Sequence, residues 1–326
     1  MARAMSRIIR EQRKLCASGQ AGRENGGRIW RCHREAGFRY AGPLVKIIRT
    51  ASRAAQFRRD TEGRALVLVP TMGALHAGHL SLMRKARKLA GARGTVAASI
   101  FVNPAQFGPG EDFSRYPRPF ARDCRLCEEA GVDVVFRPEP DEIYPAGFST
   151  HVDEERVSLG LCGKSRLGHF RGVCTVVLKL FNIIGPDAAV FGEKDYQQVA
   201  VIRRMVRDLN VPVRIVAAPT VREADGLALS SRNAYLTPEE RAQAPVIRRA
   251  LLLARHAHSA RPADLARLMR REIARAPLAK IDYVEVLDAR TLEKPGTATR
   301  ELVIACAVWF GKTRLIDNVR RKSCVS

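Results

Sequence analysis

From Leu44 onward the chain alternates short apolar runs with longer amphipathic ones, and this alternation restricts the fold more than any other feature. ALVLVP (65–70), TVAASIFV (95–102), VDVVFRP (132–138), the strand end AAVFGEKD (188–195) and VPVRIVAAP (211–219) read as strands. Between them, IIRTASRAAQFRRD (47–60), HLSLMRKARKLA (79–90), PFARDCRLCEEAG (119–131), VCTVVLKLFNIIG (173–185) and YQQVAVIRRMVRDLN (196–210) carry helical periodicity. Strands apolar on both faces and joined by helical crossovers imply an α/β fold with a Rossmann-like, doubly wound parallel sheet. Ligands of such sheets bind at the carboxyl ends of the strands.

After Pro219 the texture changes. TPEERAQAPVIRRALLLARHAHSA (237–260) opens on a helix start signal and continues as one long amphipathic pattern, and PADLARLMRREIARA (262–276) is a further helix. IDYVEVLD (281–288) and ELVIACAVWFG (301–311) then alternate as strands, which predicts a smaller C-terminal α+β domain. The expected division is a basic, disordered extension over 1–42, a nucleotide- and substrate-binding domain over 43–218, and a lid domain over 219–326. The extension holds ten Lys/Arg against three Glu, a net +7, with no sustained hydrophobic period.

The net charge of +23 suits phosphorylated ligands, nucleic acid or a membrane surface. Its arginines are dispersed among Ala and Leu, as in RRMVRD, which is the pattern of a solvated helix face, and no aromatic residues are interleaved for base stacking. No specific nucleic-acid partner is therefore expected. The apolar runs are too short to span a bilayer, no secretory h-region is visible, and eight scattered cysteines point to reduced thiols in a cytoplasm. Cys124 and Cys127 form the one CxxC, with no second pair or nearby histidine to complete a zinc set. A GxxxxGK[ST] loop and a GxGxxG after a strand are both absent, which disfavours P-loop kinases and dinucleotide dehydrogenases.

Four clusters fall at strand ends or at the junction near residue 218. In VPTMGALHAGHLSL, His76 and His79 sit on the first turn of a helix, where unpaired N–H groups and the dipole favour an anion. Gly73 and Gly78 would let backbone approach that ligand. An HxxH pair is also a metal spacing, so a phosphate clamp and a metal pair both remain open. In FVNPAQF, Asn103 and Gln106 are neutral groups able to hold a hydroxyl or carboxylate. FGEKDYQQ supplies Lys194 for a phosphate, Asp195 for a ribose or the helix start, and Gln198 one turn after Lys194. VREADGLALSSRNAYL offers Ser230, Ser231 and Arg232 to a triphosphate. The set contains no nucleophile–base pair and no pair of acids. It suits positioning and electrostatic stabilisation at a phosphorus centre.

These stretches, with LCGKSRLGHFRGVCTVVLKLFNIIGPDAAVFGEKDYQQ and AVWFGKTRLIDNV, resemble the pantoate–β-alanine ligase (pantothenate synthetase) family from about Leu44 to Asn318. HxGH alone marks the wider nucleotidylyltransferase group; the run ending in GEKDYQQ and the SSRN loop are more specific. The resemblance implies an AMP-forming ligase that joins pantoate to β-alanine through pantoyl adenylate, with ATP as substrate and Mg²⁺ arriving on its phosphates rather than at a protein-held metal site. It implies an ATP site of Met72, Gly73, Ala74, Leu75, His76, Ala77, Gly78, His79, Gly192, Glu193, Lys194, Asp195, Val221, Leu229, Ser230, Ser231 and Arg232. Within that set His79, His76, Lys194 and Arg232 would be catalytic, His79 being the residue usually given the proton-donor role. Gln106, Gln198, Asn103 and His169 would meet pantoate or β-alanine, with Arg166 nearby. A homodimer and a flexible 222–233 loop on the lid are further implications. Leu167 stands where the family commonly has Pro, and Leu229 where Met is common. The alternative reading is another HxGH nucleotidylyltransferase acting on a different small substrate.

Overall fold

The strand that ends at the two histidines lies at the centre of a six-stranded parallel sheet. The computed structural model describes residues 45–258 and 261–323, so the basic extension 1–42 lies outside the described residues. The strands are β1 (Lys46–Ile48), β2 (Leu66–Thr71), β3 (Thr95–Ile100), β4 (Val134–Phe136), β5 (Ala188–Gly192) and β6 (Arg214–Ala218), in the order β1-β4-β3-β2-β5-β6. The helices of this part are α1 (Ala51–Asp60), α2 (Ala77–Ala90), α3 (Phe120–Glu129), α4 (Pro140–Ile143), α5 (Cys162–Ser165), α6 (His169–Ile184) and α7 (Tyr196–Asp208). Period-two alternation sends Val67 and Val69 to the face covered by Leu80, Met83 and Cys127, and Leu66 and Leu68 to the other. From β2 the chain winds outward through β3 to β4, then crosses back to place β5 on the other side of β2, pairing Val67 with Ala188 and Leu68 with Ala189. This reversal opens a crevice at the carboxyl ends of β2 and β5. Both lead directly into the histidine and lysine clusters.

The second sheet is antiparallel, ordered β7 (Ala279–Asp288), β8 (Glu301–Phe310) and β9 (Thr313–Lys322). Helices α8 (Pro238–Gln243), α9 (Val246–His256) and α10 (Pro262–Ile273) accompany it. It has its own core, in which Ile247, Leu251, Leu265 and Met269 meet Val284, Ile304 and Val308. Both sheets belong to one compact unit that starts at Val45. Among the described residues no helix is long and apolar enough to cross a membrane.

Three expectations change. Ile47 and Ile48 are not helical: they form edge strand β1 on β4, and α1 starts only after Thr50, whose hydroxyl accepts the Arg53 N–H at 3.3 Å. The long pattern over 237–260 is broken in two. Thr237 and Glu240 cap α8 reciprocally as the start signal predicts, but Pro245 lacks the N–H that would continue the ladder, and α9 begins anew at Val246. Finally, β9 is a strand the sequence hardly announces, because Arg314, Asp317 and Arg320 interrupt its apolar alternation.

Candidate active site

The turn after β2 bends through two consecutive left-handed residues, Gly73 (φ 83°) and Ala74 (φ 51°). Asp123 of α3 holds it there: its carboxylate accepts the Ala74 and Leu75 N–H groups, both at 2.9 Å. Those donors are consequently spent inside the protein. Gly73, Ala74, Leu75 and Ala77 do not line the cleft, whereas Met72, His76, Gly78 and His79 do. Gly78 has a second reason to lack a side chain. A Cβ there would lie 2.8 Å from the His76 ring, so the glycine also makes room for that histidine.

His76 is the N-cap of α2 and His79 its third residue. The Nδ1 of His76 accepts the Gly78 N–H at 3.1 Å, and the Nδ1 of His79 accepts the His76 N–H at 3.3 Å. This reciprocal capping fixes both tautomers, because with Nδ1 accepting, the ring proton must sit on Nε2. Burial, reinforced by the charge of Lys194, lowers the His76 pKa to about 4; burial, then neighbouring His76, lowers that of His79 to about 3. Two neutral rings 4.1 Å apart thus keep their Nε2–H donors for the cleft they line.

The turn after β5 adds Lys194, whose Nζ lies 3.4 Å from Asp195 Oδ1. Burial alone would raise the Asp195 carboxyl, but Lys194, with Arg232 and His79 beyond it, holds it below the usual carboxylate range. Asp195 makes no side-chain cap on α7. The turn is held from the second sheet: Asn318 Nδ2 donates to the Glu193 and Lys194 carbonyls, both at 2.9 Å. Gly192, Lys194, Asp195 and Gln198 line the cleft; Glu193 turns away to pair with Arg320 at 3.3 Å.

After β3, Asn103 is buried and fully committed inside the protein. It receives the Tyr144 hydroxyl at 2.7 Å and donates to Gly172 O at 3.1 Å and to Gln106 Oε1 at 3.0 Å. It therefore supports Gln106 while itself lining the cleft. His169 is committed likewise. Its Nδ1–H donates to Gln106 O at 2.8 Å, which leaves Nε2 to accept from Arg166 at 2.9 Å. Burial, then the Arg166 charge, lowers its pKa to about 4.

The last wall comes from 219–236. Val221, Leu229, Ser230, Ser231 and Arg232 all line the cleft. The 222–233 segment folds back on itself through an Arg222–Ala228 bridge and enters a 3-10 turn at Ser231. Glu223 N–H bonds Leu227 O at 2.8 Å, Asn233 donates to Glu223 at 2.8 Å, and Arg222 pairs with buried Asp317 of β9 at 2.6 Å.

Sequence reasoning missed several functional supports. Glu111 grips Arg166 through two 2.7 Å bonds, and its neighbour Asp112 grips Arg232 at 2.9 and 3.1 Å. Gln197, buried beside the cleft-lining Gln198, ties Cys162 N–H and the Val157 and Gly160 carbonyls together. The signal available was the acidic pair in FGPGEDF; nothing in the sequence separates Gln197 from Gln198. Cys124 and Cys127 lie buried in α3, where burial pushes the Cys127 thiol up to about 12.

The cleft has two lobes of about 240 and 200 Å³ that share Arg166, His169, Lys194, Asp195, Gln198, Ser230 and Arg232. Cationic and hydrogen-bond-donating side chains and neutral amides thus meet at one topological switch point. Residues 45–320 match the family model described as pantoate-beta-alanine ligase. The chain belongs to that family. The pantothenate synthetase of Heliobacterium modesticaldum is 58% identical over 279 residues, covering 85% of this chain and 98% of that one. Among solved structures, the pantothenate synthetase of Thermus thermophilus superposes with a TM-score of 0.79 at 45% identity, over 84% of this chain and 99% of that one. A pantoate-beta-alanine ligase from Francisella tularensis, complexed with beta-gamma ATP and beta-alanine, gives 0.70 at 34% identity, over 84% and 97%. The chain is thus a ligase with the parallel-sheet fold of pantothenate synthetases.

Proposed function

We propose that this chain makes pantothenate in two steps within the one cleft. The pantoate carboxylate attacks the α-phosphorus of ATP and displaces pyrophosphate. The β-alanine amine then attacks the acyl carbon of pantoyl adenylate, and AMP leaves. The observation that carries this reading is the meeting of a phosphate-binding set (His76, His79, Lys194, Ser230, Ser231, Arg232) with Gln106 and Gln198 in a continuous cleft. Neutral amides can hold a hydroxy acid without competing for its charge. Family membership and the complex of the Francisella tularensis relative with beta-gamma ATP support ATP as the activating substrate.

Adenylation matters because a carboxylate would have to expel oxide, whereas its adenylate expels AMP. Lys194 and Arg232 would draw negative charge off the triphosphate as pyrophosphate departs. The two Nε2–H donors would bond phosphate oxygens without bringing a charge of their own. His79, neutral in the free enzyme, then acts as a hydrogen-bond donor rather than as an acid. Among the described residues no three carboxylate, histidine or cysteine side chains gather to hold a metal. Mg²⁺ would enter on the ATP phosphates and supply further charge neutralisation, and Asp195 is a carboxylate on the wall of both lobes of the cleft. The unit over 219–326 would serve as the lid that keeps water from the acyl phosphate. A homodimer and a cytoplasmic location complete the proposal.

The test is AMP formation with ATP, pantoate and β-alanine, omitting each in turn, beside pantoate-dependent ATP–pyrophosphate exchange. Exchange that needs pantoate and AMP release that needs all three are expected; exchange indifferent to pantoate would favour a different small substrate. Lys194→Ala and His79→Ala should each lower exchange by about a hundredfold or more with the fold retained. Near-normal exchange in both would remove them from the site.

A further inference from the structure

Behind the Lys194 turn lies a second concavity, of about 350 Å³, which the ligase reaction does not use. Its rim carries Arg156, Arg203, Arg204, Arg207, Arg290 and Arg320, brought from four separate stretches of chain: the loop before Val157, α7, the turn after β7, and β9. Only Glu193 and Glu293 oppose them on the wall. The sequence pattern RRMVRD suggests an ordinary solvated helix face. In the fold Arg203 and Arg207 do stay exposed, at the rim, while Val199 and Ala200 on the same side of α7 line the hollow beneath them.

Four of the arginines already have partners. Arg204 and Arg207 share Asp208 at 2.5 and 2.9 Å, Arg156 meets Glu293 at 3.0 Å, and Arg320 meets Glu193 at 3.3 Å and Glu301 at 3.5 Å. Among the described residues Arg203 and Arg290, which line the hollow from α7 and from the turn after β7, pair with no carboxylate. Each guanidinium can offer paired donors to a phosphate group. The floor between them is apolar, formed by Val199, Ala200 and Ala217 beside Tyr196. A volume above 300 Å³ suits a small organic ligand better than a bare ion. The 193–196 turn is the partition: Glu193 lines this hollow, Lys194 the catalytic cleft, and Tyr196 both.

We propose that this hollow is a second, non-catalytic site for an organic polyphosphate of the nucleotide class, with phosphates on Arg203 and Arg290 and the base or sugar against Val199, Ala200 and Tyr196. The proposal does not rest on the ligase reading, since it concerns a surface outside the reacting cleft.

It is tested by counting molecules of a non-hydrolysable ATP analogue bound per full-length chain at equilibrium, in moderate salt and without pantoate. Wild type should bind a second molecule that Arg203→Ala/Arg290→Ala loses or holds at least about tenfold more weakly. The double variant should keep ligase turnover within about twofold of wild type, which also verifies its fold. Arg290→Glu alone, at an exposed turn, should have the same effect on the second molecule. Inorganic pyrophosphate should bind the hollow at least about tenfold more weakly than the analogue, since it leaves the apolar floor uncovered. A single analogue per wild-type chain, or a second one that survives both variants, overturns the site. Equal affinity for pyrophosphate overturns its assignment to an organic ligand, and arginine-dependent binding of duplex DNA without a second nucleotide would assign the patch to nucleic acid.

Discussion

At the residue scale, the histidines do two things at once: their Nδ1 atoms finish the start of α2, and this commitment aims the remaining proton of each ring at the cleft. The same burial makes them sensors of acid. His76, His79 and His169 have pKa values lowered to about 4, 3 and 4, while the unfolded chain titrates near 6.5. Below pH 6.5 the unfolded state therefore takes up protons that the folded state refuses. Stability from these groups is complete above pH 6.5 and declines as pH falls toward 4, by up to about 1.4 kcal/mol per pH unit for each histidine. Urea unfolding from about pH 7 to about pH 4.5 should show this slope. His76→Asn should flatten it, since asparagine still caps the helix but does not titrate. An unchanged slope would mean that His76 does not remain neutral in the fold. The tautomers themselves were not legible in the sequence. HxGH identifies the residues, but only the cap geometry shows which nitrogen is left for a ligand.

At the scale of elements, the strand-end clusters were legible because apolar strand runs end abruptly in Gly, His, Lys or Asn, and such ends gather on one edge of a parallel sheet. Less legible was what holds each cluster. Asp123, Gln197 and Asn318 act across tens or hundreds of residues, and no local pattern marks a buried polar partner. Nor did patterning show that Asn103, which lines the cleft beside Gln106, is buried and bonded to Tyr144, Gly172 and Gln106. The Glu111–Asp112 pair is the sharpest case. It pairs Arg166 and Arg232 with carboxylates, for which phosphates or a substrate carboxylate would compete. Asp112→Asn should therefore lower the KM for ATP several-fold, with kcat changed less. A raised KM would show instead that Asp112 orients Arg232 for the nucleotide. The link between the 222–233 segment and β9 is a matter of stability. Arg222 faces an Asp317 that is almost wholly buried, so Asp317→Ala should cost about 3–5 kcal/mol by leaving the guanidinium uncompensated, measured by urea denaturation. A loss under about 1 kcal/mol would mean that water reaches the pair.

At the scale of the whole molecule, the second sheet is tied to the first at turns that line the cleft. Asn318 holds the Lys194 turn, Arg314 of β9 reaches the Cys162–Ser165 helix, and the Tyr196 hydroxyl donates to Ala289 O at 2.7 Å. An enzyme that forms an acyl adenylate faces a specific hazard if this seam loosens, since water can take the acyl group before the amine arrives. The loss would appear as wasted ATP before it appeared as a lower rate of adenylation. Tyr196→Phe deletes one seam bond and leaves the ring in place, without altering any residue proposed to touch phosphate or pantoate. AMP released per pantothenate formed should stay near unity in wild type and rise clearly above it in the variant, most of all at low β-alanine, while pantoate-dependent exchange remains close to normal. If the ratio stays at unity at every β-alanine concentration, the Tyr196–Ala289 bond takes no part in excluding water, and the barrier rests on the Asn318 and Arg314 ties and the 219–236 wall.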